Sequence, residues 1–122
     1  MIYGVSVFTH LRANWESKWL EELHRVLRPG GTMLVTVHGR TAIDYAGLDR
    51  ATYAALTARV EREGPVVSGE NHQLDGFVEH PIEYVNVFHS DAHIQRVWTQ
   101  YFSKIVQLKG YLFTHDLLVV TK

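Results

Sequence analysis

The sequence of 122 residues contains no cysteine. Disulfides, thiolate metal sites and a cysteine nucleophile are thereby excluded, and a cytoplasmic setting fits best. Charge is almost balanced: 12 Lys and Arg face 13 Asp and Glu, for a formal net charge of -1 with histidine neutral. Nucleic acid and anionic membrane, which call for a clustered cationic surface, are excluded as primary partners. No apolar run approaches the roughly 18–20 residues of a membrane span, and no basic stretch leading into an apolar segment follows Met1. What is present is an ordinary globular composition, 46% hydrophobic and 20% charged. A chain of this length buries roughly two-thirds of the surface it exposes when unfolded, enough for one domain with one modest core.

Ile2 to Phe8 carries Ile2, Tyr3, Val5, Val7 and Phe8 with only small residues between, which predicts a strand buried on both faces. Asn14 is a candidate N-cap for the helix that follows. Trp15, Trp19, Leu20, Leu23, Val26 and Leu27 recur at helical spacing as one apolar stripe, opposite Glu16, Lys18, Glu21, Glu22 and Arg25. Pro29, Gly30 and Gly31 end that helix, and Thr32 to His38 reads as a second buried strand. Strand, helix and strand in this order favour a parallel pair and an α/β fold. Gly39 to Gly47 reads as a polar loop, and Asp49 caps a helix over Arg50 to Glu63. Gly64 to Pro81 reads as an ordered loop or short hairpin, with a short strand over Tyr84 to Phe88. Ser90 caps a third helix over Asp91 to Tyr101, and Lys104 to Leu108 and Asp116 to Thr121 form an antiparallel hairpin.

The run VLRPGG at Val26 to Gly31, with SVFTHL at Ser6 to Leu11 before it and Tyr101, Phe102 and DLLVVTK at Asp116 to Lys122 after it, resembles the C-terminal half of class I S-adenosylmethionine (SAM) dependent methyltransferases. The resemblance covers nearly the whole chain. It implies a partial Rossmann-like sheet whose strands are the family's fourth (Ile2 to Phe8), fifth (Thr32 to His38), sixth (Lys104 to Leu108) and seventh (Asp116 to Thr121). Their spatial order is then 4-5-7-6, with the last strand antiparallel and helices on the faces. The family's glycine-rich loop for SAM, and its acidic residue for the ribose, belong to an N-terminal half with no counterpart here. Residues 1–122 therefore read as one truncated methyltransferase-like domain. Gly30 and Gly31 are no substitute, since they follow a helix instead of opening one beneath an anion.

By the same resemblance, Ser6, Val7, Phe8 and His10 approach the methionine and sulfonium of SAM; as residues alone, Val7 and Phe8 read as core, and Ser6 and His10 as a strand exit. His10 and His38 end neighbouring strands, so their imidazoles meet at one sheet edge, where either can act as a base near neutral pH or simply bond loop backbone. Asn71, His72, Tyr84 and His89 are the candidates for contact with a small-molecule acceptor. His89 and His93, four apart, invite a metal, but His89 precedes the cap residue Ser90 and no HExxH pattern is present, so no metal site is assigned.

If nothing pairs with its outer side, Ile2 to Phe8 is a long apolar edge strand lacking Lys, Pro or inward charge. Such an edge predicts a homodimer through this strand, or a partner chain supplying the SAM half. Two functions follow: a methyltransferase portion inactive alone, or a non-catalytic homodimeric binding module derived from that fold.

Overall fold

The computed structural model describes residues 1–70, 76–77 and 84–122. Strand β1 (Ile2–Gly4) leads through a turn and loop to helix α1 (Ala13–Val26), and β2 (Thr32–Val37) follows. Next come a short helix α2 (Arg40–Asp44), helix α3 (Arg50–Glu63) and strands β3 (Val66–Glu70) and β4 (Val85–Phe88). A three-residue helical turn α4 (Asp91–His93) runs straight into a π-helical turn at Ile94–Trp98, and β5 (Lys104–Leu112) and β6 (His115–Thr121) close the chain.

The fold is mixed α/β. Four strands form one sheet in the spatial order β1-β2-β6-β5, and β3 and β4 form a separate antiparallel pair. β1 pairs parallel to β2 through Ile2–Met33, Tyr3–Leu34 and Gly4–Val35. β6 is antiparallel to both of its neighbours. Alternation along the strands sends Met33, Val35, Leu118 and Val120 to one face, where they are buried with Leu20 and Leu27 of α1 and with Ile94, Trp98 and Phe102. Residues of opposite parity, Tyr3, Val106 and Leu108, stay exposed. Helices therefore do not cover both faces, as a fully wound sheet would require.

Several local expectations are corrected. β1 stops at Gly4 instead of Phe8, because Ser6 takes φ 56°, a left-handed conformation that no strand residue adopts; its N–H turns to Thr36 Oγ1 at 2.8 Å. The predicted long edge is three residues long. Arg12, not Asn14, stands at the N-cap of α1, with no side-chain cap, and its carbonyl accepts from Trp15 and Glu16. The α1 stripe is rotated: Trp15, Trp19 and Val26 are exposed while Glu16 is buried. The expected loop after β2 contains α2. The third helix is α-helical for one turn only before the π turn.

Other signals hold. Asp49 accepts from the amides of Ala51 and Thr52 to cap α3, and Ser90 accepts from His93 N at 3.1 Å. The Pro29-Gly30-Gly31 turn is locked to the far end of the chain by Gly30 N–H to Lys122 O and Lys122 N–H to Gly31 O. A side chain at residue 31 would meet the Arg28 carbonyl at 2.7 Å, so only glycine lets the chain reverse this tightly into β2.

Candidate functional site

Two polar clusters lie at the carboxyl ends of β1 and β2. The first is built on histidine. His10 follows the turn after β1, His38 follows β2, and His115 opens β6, whose antiparallel direction brings its first residue to the same end. The His38 ring lies 6.0 Å from that of His10 and 4.7 Å from that of His115, centroid to centroid. The topology thus brings together the two imidazoles expected at one sheet edge. It adds a third, His115, which a strand start seventy-seven residues further on gave no local reason to suspect.

His10 is fully engaged. Its Nδ1 lies 2.7 Å from the Val85 carbonyl, so that nitrogen carries the proton, and Tyr84 OH donates to Nε2 at 3.0 Å. The two rings also stack, 4.1 Å between centroids. A carbonyl orients an imidazole whose other nitrogen faces a hydroxyl, the arrangement by which a base accepts a phenolic proton. Burial lowers the His10 pKa, partly opposed by the bond to Val85. His38 is pushed down to about 3 by burial first, then by the neighbouring imidazoles of His115, His10 and His89. Burial and His10 also lower His115. All three rings are neutral at pH 7, and with so low a pKa His38 is a poor proton acceptor. Its Nδ1 is buried with no hydrogen-bond partner among the described residues.

His10 also lines a cavity of about 440 Å³, together with Leu11, Arg12, Asn14 and Trp15, within the size range of small-molecule sites. Of the other residues expected near a cofactor, Ser6 forms the strained turn and Val7 packs against the core. Phe8 is 1% exposed, its ring tilted against Trp98 at 4.9 Å. Asn71 and His72 lie outside the described residues.

The second cluster surrounds Glu16. Trp98 Nε1 donates to Oε1 at 2.8 Å, His93 Nε2 lies 2.8 Å from Oε2, and His89 Nε2 lies 3.2 Å from Oε1 but off the line of a hydrogen bond. All four side chains are buried. Burial by itself raises the Glu16 pKa, yet the two imidazoles outweigh it and hold the carboxyl well below the usual range. The π turn makes this possible. Its turn closes over five residues instead of four, which brings His93 and Trp98, five apart, to one side and onto one carboxylate. His89 therefore sits inside the protein, and its amide donates to the His38 carbonyl at 2.8 Å, tying the two clusters together. Among the described residues no group of three or more His, Asp or Glu is arranged to hold a metal ion.

Neither a scan against protein-family models nor a search of curated proteins returns a match for this sequence. No helix among the described residues is long and apolar enough to cross a membrane.

Proposed function

We propose that this chain is the C-terminal portion of a SAM-dependent methyltransferase domain, unable to catalyse transfer alone because the glycine-rich SAM loop must come from an upstream half or a partner chain. The observation that carries this reading is the sheet. A parallel β1-α1-β2 unit turns through Pro29-Gly30-Gly31, and an antiparallel final strand enters between β2 and β5. Under this reading the strands take the family labels four, five, seven and six in space.

The residues present fit one wall of a cofactor site. His10 and Trp15 line the 440 Å³ cavity, and among the described residues no carboxylate lines it. SAM, when bound, supplies an electrophilic methyl group on a sulfonium. Methyl transfer is an in-line displacement, so the chain's task is to hold a small-molecule acceptor and take its proton. Under this reading His10 Nε2, kept as the accepting nitrogen by the Val85 carbonyl, takes that proton by way of the Tyr84 hydroxyl bonded to it.

A second reading, a non-catalytic homodimeric binding module, is favoured by one observation: Tyr3 and Val5 near the β1 edge, and Trp15 and Trp19 on α1, are exposed. Calorimetric titration with SAM separates the two. Weak, saturable binding in the millimolar range supports the first, and silence to about 5 mM, where a Kd of 1 mM corresponds to about -4 kcal/mol, supports the second.

A further inference from the structure

Helix α1 buries one face and leaves another bare. Trp15 is 51% exposed, Trp19 43% and Val26 51%; with Glu22 they stand at positions 15, 19, 22 and 26, a straight stripe on a helix. Lys18 flanks the stripe, its ammonium 4.7 Å above the Trp15 ring. Trp15, Lys18, Trp19 and Glu22 line a surface groove of about 210 Å³. Trp19 also borders a groove of about 120 Å³ shared with Ile2 and Tyr3 at the open edge of β1. Two tryptophans and a tyrosine on one continuous surface have the composition of a buried contact.

We propose that this stripe is the two-fold contact of a homodimer. The inference rests on the homodimer reading and moves its contact from the β1 edge to α1. Three residues of β1 offer too few backbone groups to hold two copies together. The stripe, by contrast, is complementary to itself. Set antiparallel about a two-fold axis, Trp15 of one protomer faces Val26 of the other, the two Trp19 rings flank the axis, and each Lys18 reaches the Glu22 carboxylate across it. Lys18 lies over its own Trp15 ring and Arg25 holds both Glu22 oxygens, so the pairs across the axis form by exchanging these exposed contacts. Aromatic side chains bury roughly 150–250 Å² each, so three half-exposed rings contribute about 300 Å². The stems of Lys18, Glu22 and Arg25 with Val26 bring the face to roughly 500–600 Å² per copy, the size of a weak interface.

Charge reversal on this exposed helix face leaves the core intact, so sedimentation equilibrium on K18E, E22K and their mixture reads the contact directly. Wild type is expected to dimerise at about 10–100 μM. K18E places two acidic side chains against each other on both sides of the axis, and E22K two lysines, so each alone should weaken dimerisation at least about tenfold. An equimolar mixture of K18E and E22K restores both attractive pairs and should dimerise as wild type does. A wild-type dimer that neither variant weakens, or a mixture that stays monomeric, overturns the α1 contact while the homodimer reading stands. Wild type monomeric at 100 μM overturns both.

Discussion

Replacing Glu16 by alanine removes the acceptor for Trp98 Nε1 and His93 Nε2 and strands His89 beside them. A buried donor left without an acceptor costs about 1–3 kcal/mol, more where the lost acceptor carries a charge, and here two donors, Trp98 Nε1 and His93 Nε2, lose theirs. The expected loss is therefore about 3–5 kcal/mol, roughly 12–20 °C in Tm at about 4 °C per kcal/mol for a chain of this length. That is a large share of the stability of any small domain. Glu16→Gln keeps the shape and one acceptor oxygen, so it should lose less, about 1–2 kcal/mol. Urea unfolding followed by circular dichroism measures both. The sign with pH is fixed by the lowered carboxyl pKa: the contribution is complete above the ordinary value of 4.5 and is lost as pH falls through the lower folded value. The stability difference between wild type and E16Q should shrink as pH falls below about 4.5. A Glu16→Ala loss under 1 kcal/mol, or a double-mutant cycle in which Glu16 and His93 are additive, would refute a buried, coupled carboxylate.

Three further outcomes are expected. His38, neutral in the fold and pushed down to about 3, makes stability fall as pH drops below the ordinary histidine value of 6.5, because the unfolded chain then binds protons the fold refuses; H38F should flatten that slope in acid titrations of stability, and an unchanged slope would refute the assignment. Tyr84→Phe removes the donor to His10 Nε2 but leaves the burial that lowers the His10 pKa, so the His10 titration followed by NMR should stay below 6.5, and a return to 6.5 would refute burial as the cause. Gly64 has φ 94° and a Cβ there would stand 2.7 Å from His93 Nδ1; G64A should cost at least about 2 kcal/mol, and a neutral result in thermal melts would mean that His93 is not packed against that backbone.

The sequence made the scaffold legible wherever a local signal was sufficient. Unbroken apolar runs marked β2 and β6, Asp49 and Ser90 announced their helices, and Pro29-Gly30-Gly31 marked the turn into β2. The failures share one cause. Glu16 lies between Trp15 and Ser17 on what helical counting assigns to solvent, and its partners lie 77 and 82 residues away. Nothing in the neighbourhood of a carboxylate says that two imidazoles and an indole will surround it. The π turn was hidden for a related reason: Ile94, Val97, Trp98 and Tyr101 fit α-helical spacing, and the tertiary demand that His93 and Trp98 share one acceptor overrode that period. β1 was overread because hydrophobicity at Val5, Val7 and Phe8 reports burial, not extension, and Ser6 bends the chain. His10 and His38 were legible as a pair because each follows a strand of one parallel unit; His115 joined them only through the antiparallel direction of β6.

The measurement that bears most directly on the proposed methyltransferase origin is amide and imidazole NMR of the chain titrated with S-adenosylhomocysteine to several millimolar. If Ser6 to His10 and the adjoining loop form the surviving wall of a SAM site, saturable shifts should be confined to Ser6, Val7, His10, Leu11 and Trp15, with the Tyr84–His10 pair moving alongside. Spectra unchanged at these residues, or changes centred elsewhere, would contradict it.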